Sequence, residues 1–331
     1  MAYFDLPLDE LRVYKPSIPK PGNFDSFWKN TIAESRSLAR DPQFEPQEWG
    51  FPLLDVYDVS FSGFAGQSIK AWYIRPKNRE NLPVVVSYVG YGGGRSLPVD
   101  HLRYPAAGYG VFVMDTRGQG SVWSQGDTPD LDGGSGSPQI PGFMTRGILN
   151  PADYYYRRVF TDALLALEAA ARAPGADSRR LVVGGGSQGG GIAIAAAGLA
   201  ALCGLPRDVD QPRGAMPDVP FLCNFQRAVG LVDTDPYGEI RRFCVTHRNR
   251  IDQAFETLSY FDGLHFAAQA AVPALFSVGL MDTICPPSTV FAAFNTWAGS
   301  KQMVEYPYND HEGGGSHHFS AQLQFLSSVV G

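Results

Sequence analysis

The sequence predicts an α/β fold, a mainly parallel twisted sheet with helices on both faces. Three observations carry that expectation. Apolar runs such as LPVVVSYV (82–89), GVFVMD (110–115), LVVGGG (181–186) and PALFSVGL (273–280) read as strands buried on both sides. Helical patterns fall between them, most strongly in VFTDALLALEAAARA (159–173) and from about 188 to 202. A chain of 331 residues, 44% hydrophobic and 18% charged, buries a large core without metal or disulfide staples.

In chain order, residues 1–50 form a front section with several prolines and one amphipathic helix. Phe24, Phe27, Trp28 and Ile32 recur there at helical spacing, with Asn23 as N-cap. Strands follow at about 55–62 and 67–75, joined by a turn at Gly63–Gly66. The pattern then alternates: strand 82–89, a helix-like stretch near 97–107, strand 110–115, and a loop over 118–150 heavy in Gly, Pro, Ser and Asp. Next come helix 159–173, strand 181–186, helix 188–202 and a Pro-rich strand region at 212–224. Helical pieces (235–270), strand 273–280, a helix near 287–298, a strand near 302–306 and a helix from about 317 complete the chain. No period of 20–50 residues repeats. The whole of 1–331 reads as one domain, with the first 50 or so residues packed on it as an extension.

Composition excludes several functions. Formal charge is −6, from 27 Lys+Arg and 33 Asp+Glu, so no basic field for nucleic acid exists. Cys203, Cys223, Cys244 and Cys285 are dispersed without a CxxC pair, which argues for buried thiols in a reducing compartment. The N-terminus has early acids and no apolar h-region, so the cytoplasm is the expected location. Leu181 to Pro206 carries no charge and is long enough to span a bilayer. Its eight glycines fit a strand, a turn and an interior helix of a soluble fold better.

Gly185-Gly186-Ser187-Gln188-Gly189 fits G-x-S-x-G between an apolar strand and an apolar helix, the arrangement of a nucleophile elbow. A plain N-cap serine after a glycine turn is the bland alternative. The same letters also satisfy G-x-G-x-x-G from Gly184, with Asp208 or Asp210 where a ribose-binding acid would be sought, but LCGLPRDVD does not read as a strand end. A serine nucleophile needs a base and a group to orient it. Asp282 directly follows the strand 273–280, and His311 lies a few residues after the strand near 302–306. Both therefore sit at the carboxyl edge that carries Ser187. Asp310 competes as the acid but is a sequence neighbour of His311. His247 and His265 fall in helical pieces, His317 and His318 open the final helix, and His101 precedes the elbow. His311, His317 and His318 match no zinc spacing, so neither metal nor cofactor is expected. Two backbone N–H groups, of Tyr91 before Gly92-Gly93-Gly94 and of Gln188, are the expected oxyanion donors.

Four pieces in register resemble carbohydrate esterase family 7, the acetyl xylan esterases and cephalosporin C deacetylases. They are the opening LPLDELRVYKPSIPKPGNFDSFW, Arg117-Gly118-Gln119-Gly120 with the serine pentapeptide, GLMDTICPPST around Asp282, and His311-Glu312. The resemblance implies an α/β-hydrolase fold and a cytoplasmic serine esterase without cofactor. Its substrates would be acetylated xylo-oligosaccharides, other acetylated sugars and cephalosporin C, and its assembly a hexamer. It also implies that the loop at 121–150 is an inserted interface segment. Arg117 and Gln119 are read as braces under the site, with Glu312 as a further signature residue. A broader short-chain carboxylesterase or a peptidase of the same fold is the nearest alternative. A non-catalytic binding protein and a dinucleotide-dependent oxidoreductase are further ones. Trp123, Phe221 and Tyr237 are placed at the substrate pocket by position alone.

Overall fold

The computed structural model describes residues 4–131 and 139–331. Among these, nine strands form one sheet: β1 (Gln43–Gln47), β2 (Leu54–Ser62), β3 (Ser68–Pro76), β4 (Leu82–Tyr88), β5 (Gly110–Met114), β6 (Ala176–Gly186), β7 (Gly214–Asp218), β8 (Ala274–Gly279) and β9 (Lys301–Tyr306). Their spatial order is β1-β2-β3-β5-β4-β6-β7-β8-β9. The first three pair antiparallel, as does β3 with β5, and every pair from β5 onward is parallel. The six strands of the parallel half therefore end at one rim, and the connections at that rim carry the residues singled out above.

The pleat explains the continuous apolar runs. Val84, Val86 and Tyr88 face the larger core, while Val85 between them joins Val182, Met216, Leu275 and Phe325 on the other face. The larger core lies under helices α1 (Phe24–Ser37), α2 (Tyr155–Ala170) and α3 (Gln188–Cys203). The remaining longer helices are α4 (Tyr237–Thr246), α5 (Ile251–Ser259), α6 (Pro287–Thr296) and α7 (Gly315–Val330), the last covering the second face. The front section shares the larger core: Phe24, Trp28 and Ile32 are buried in it, and the Trp28 indole donates to Tyr260 O at 3.0 Å.

The absence of charge around α3 has a packing cause. Nearly all of the helix is buried, and a Cβ on Gly198 would come within 2.5 Å of Phe266 O. Among the described residues no helix is long and apolar enough to cross a membrane.

Some expectations need correction. β1 escaped the sequence reading because QFEPQ is polar and contains Pro46, which suits the sheet edge it occupies. The stretch near 97–107 is two short turns, Pro98–His101 and Arg103–Ala106, rather than one helix. Asn23 stands at the N-cap of α1 but makes no side-chain cap bond, and its Oδ1 accepts instead from the Tyr260 hydroxyl. Cys223 and Cys285 are buried, whereas Cys203 and Cys244 are only half-buried. Residues 132–138 of the expected inserted loop lie outside the described residues.

Candidate active site

Ser187 links β6 to α3 with φ 56° and ψ −120°, a conformation that costs a non-glycine residue about 1–3 kcal/mol. The surrounding backbone holds it there. Ser187 N donates to Asp218 O at 2.9 Å, and Phe221 N and Gly191 N donate to Ser187 O at 2.9 and 3.1 Å. The flanking glycines are required by space. A Cβ at Gly185 or Gly189 would lie 2.5 or 2.1 Å from Tyr88 O. Gly189→Ala is therefore expected to drive the elbow off β4, lowering the yield of folded protein and its melting temperature. An unchanged melt would show that the elbow can shift without cost.

The acid and the imidazole arrive on the next two connections at the rim. Asp282 is fully buried, and its Oδ1 accepts from Ile284 N and Cys285 N, both at 2.8 Å. Its Oδ2 lies 2.8 Å from His311 Nδ1. A carboxylate only accepts here, so Nδ1 carries the proton and Nε2 is left as the acceptor. The two loops are stitched together by Met281 N donating to Asn309 O at 3.1 Å and Thr283 N to Asp310 Oδ1 at 3.2 Å. Asp310, the competing acid, is thus spent on the backbone of the Asp282 loop. Ser187 and His311 line one pocket of about 650 Å³. Among the described residues no hydrogen bond joins the serine hydroxyl to the ring, a bond that commonly tightens only with substrate bound. The hydroxyl lies within reach of the Cys285 thiol.

Neither Tyr91 N nor Gln188 N donates to any protein acceptor among the described residues; Tyr91 lines the pocket, and Gln188 directly follows the lining residue Ser187. The Gln188 side chain belongs to a buried polar network. Gln119 Oε1 accepts from Gly92 N at 2.7 Å, and its Nε2 donates to Gln188 Oε1 at 2.8 Å and to the Tyr155 hydroxyl at 3.1 Å. Gln188 Oε1 also accepts from Tyr156 Oη at 2.8 Å, and its Nε2 donates to Val89 O at 3.0 Å. Gln119 thereby spans the loop after β4 and the start of α3. Arg117, buried one turn earlier, grips Asp162 of α2 with two bonds of 2.6 and 2.7 Å. Glu312 stays at the surface, accepting from Asn309 Nδ2 and from Asp310 N, and these bonds hold its carboxyl below the usual range.

The pocket wall includes Tyr91, Val122, Trp123, Pro141, Pro236 and Ile284. Trp123 is where position suggested, but Phe221 and Tyr237 are not. They are fully buried, packed at a tilt of 58° with centroids 4.3 Å apart, and Phe221 packs behind Tyr91. Sequence reasoning missed Glu239 and the Asp218–His318 pair. Asp218 lines the pocket, and its Oδ1 lies 2.9 Å from His318 Nε2, too poorly aligned for a hydrogen bond but close enough for attraction. Burial pushes the Asp218 carboxyl up, opposed by His318. Neither residue carries a motif, so only folding brings them together. His101 Nε2 contacts Arg95 O at 2.7 Å, His265 packs on Phe24 and His247 on Phe243.

Asp282, Cys285 and His311 offer metal-ligand atoms within 4.8 Å of one another. Both Asp282 oxygens and one ring nitrogen are already engaged, and neither Asp282 nor Cys285 reaches the pocket wall, so the cluster serves the acid–imidazole pair instead. The dinucleotide reading fails on geometry as well. α3 runs to Cys203 and β7 begins only at Gly214, leaving Asp208 and Asp210 exposed in a loop rather than at a strand end.

Comparison with known proteins concerns the chain as a whole. The model of the family described as acetyl xylan esterase (AXE1) matches residues 1–329. A curated acetyl esterase of Xylanibacter ruminicola is 24% identical over 305 residues, which is 90% of this chain and 65% of that protein. The chain thus spans under two thirds of that relative's length. A solved acetyl xylan esterase from a Paenibacillus species is 39% identical, with a TM-score of 0.86 and coverage of 98% of this chain and 100% of the other. A solved acetyl xylan esterase 1 from a Thermoanaerobacterium species is 32% identical, with a TM-score of 0.86 and coverage of 99% and 100%.

Proposed function

The chain belongs to the acetyl xylan esterase (AXE1) family, and from that premise we propose that it is a serine esterase that removes acetyl groups from small esters. The observation that carries this reading is the strained Ser187 at the carboxyl rim of an α/β-hydrolase sheet, sharing its pocket with an imidazole already oriented by a buried carboxylate.

In the proposed mechanism His311 Nε2 takes the Ser187 proton as Oγ attacks the acetyl carbonyl carbon. Asp282 keeps the proton of His311 on Nδ1 and stabilises the imidazolium that forms. The amides of Tyr91 and Gln188 hold the developing oxyanion, a contact worth about 3–4 kcal/mol per donor. His311 then protonates the departing alcohol oxygen, and the tetrahedral adduct collapses to acetyl-Ser187. Water attacks in the same sense, giving up its proton to His311, which returns it to Ser187 Oγ as the ester bond breaks and acetate leaves.

The substrates proposed are acetylated xylo-oligosaccharides, other acetylated sugars and cephalosporin C, supported by the signature pieces around Arg117, Ser187 and His311. A cytoplasmic location and a hexameric assembly rest on the same resemblance. A fluorophosphonate probe is expected to label Ser187, and p-nitrophenyl acetate to be cleaved with kcat/KM at least about tenfold above the butyrate ester. Equal rates on both esters would favour the broader carboxylesterase, and failure to label would remove the serine mechanism.

A further inference from the structure

Tyr91 is held at three points, each on a different part of the residue. Its carbonyl accepts from Trp123 Nε1 at 2.8 Å. The following amide, of Gly92, donates to Gln119 Oε1 at 2.7 Å. Its phenol donates to Glu239 Oε1 at 2.7 Å and accepts from Phe143 N at 3.0 Å. Glu239 closes the arrangement, since its Oε2 accepts from Met144 N at 3.1 Å. With carbonyl, next amide and ring all fixed, the Tyr91 N–H remains without a protein acceptor among the described residues, on a residue that lines the pocket.

We infer that Trp123 and Glu239 are positioning residues for the Tyr91 amide, so that the segment after β5 sets how well the site receives an oxyanion. The inference rests on the assignment of that amide as an oxyanion donor. Two features of the pair are otherwise costly. Glu239 is a buried carboxylate whose described bonds are to a phenol and one amide, and among the described residues no Lys or Arg forms an ion pair with it. Trp123 is 61% exposed, so it adds little to the core, yet its ring lies flush against the glycine turn. A Cβ on Gly93 would meet the indole at 2.2 Å. Trp123, Phe143 and Met144 all sit on the long connection between β5 and α2. That connection therefore touches the chemistry through Tyr91 without supplying a reacting atom.

An oxyanion contact forms only as the carbonyl becomes tetrahedral, so loosening it lowers kcat and spares KM. Trp123→Phe keeps an aromatic cover and deletes the N–H. It is expected to lower kcat for p-nitrophenyl acetate about fivefold to tenfold, with KM within about twofold and an unchanged melting temperature. Affinity for trifluoroacetone, which forms a tetrahedral adduct, should fall by the same factor. Glu239→Leu should reproduce the loss, and Glu239→Gln, which retains an acceptor for the phenol, should restore most of it. If Glu239→Leu does not fold, Trp123→Phe decides alone because its side chain is largely in solvent. Wild-type kcat and ketone affinity in Trp123→Phe would overturn the inference while labelling of Ser187 keeps the esterase reading intact. A rise in KM together with a lower melting temperature would assign the residue a structural role and overturn it equally. Wild-type protein that resists the probe would remove the reading of the site itself.

Discussion

Replacing Ser187 by alanine is expected to lower kcat for p-nitrophenyl acetate by on the order of 10⁶ while leaving the fold in place. On the proposed mechanism the loss is large because nucleophile, base and acid act as a unit. The Cys285 thiol lies within reach of the hydroxyl, but it is fully buried and burial pushes it well up, so it stays protonated and unreactive. The backbone at this position adds a second expectation. Glycine takes φ 56° and ψ −120° without penalty, whereas alanine keeps the strain of serine. Ser187→Gly should be as inactive as Ser187→Ala and more stable by about 1 kcal/mol. Denaturant midpoints of the two variants measure this difference, and equal midpoints would mean that the elbow relaxes around alanine. Asp282→Asn should cost about 10⁴ by offering His311 the wrong hydrogen-bonding partner.

Arg117→Ala is expected to destabilise the protein by about 3–5 kcal/mol, the usual result of stranding one member of a buried ion pair. Arg117 and Asp162 are each about 1% exposed, and Gln67 Oε1 takes a further bond from the guanidinium at 2.8 Å. Burial is the largest influence on the Asp162 carboxyl and pushes it up, and Arg117 pulls it back. Without the guanidinium, Asp162 keeps only Phe64 N among the described residues, at 2.8 Å. Its folded pKa then rises further above the unfolded value near 3.9. A carboxyl raised in the folded state loses stability as pH climbs through that window, so the deficit of the variant should be larger at pH 8 than at pH 5. Urea unfolding at the two pH values tests both size and sign. A pH-independent deficit would mean that Asp162 finds another partner.

The strands of the parallel half were legible because burial on two faces leaves unbroken apolar runs, as in Val84, Val85 and Val86. The serine was legible for a steric reason, since only glycines at 185 and 189 clear the Tyr88 carbonyl. Asp282 and His311 followed from strand order, since each falls just past a strand end. What stayed hidden has no local signature. Glu239 looks like any surface acid of a helix, and its role comes from a phenol 148 positions away. The Asp218–His318 contact and the placement of Phe221 and Tyr237 behind the wall depend on how helices lie over the rim, which periodicity does not record. The edge strand β1 was hidden because its side chains are mostly exposed and Phe44 alone of them packs inward.

Because neighbouring parallel strands each hand one group to the same rim, the chemistry is spread from the turn after β4 to the turn after β9. During synthesis the serine and its amide partners emerge long before the imidazole. A nascent polypeptide can therefore have most of its hydrophobic interior in place and still be chemically silent. On the proposed mechanism hydrolysis waits until β9 has docked beside β8 and the loop after it has carried His311 to the rim.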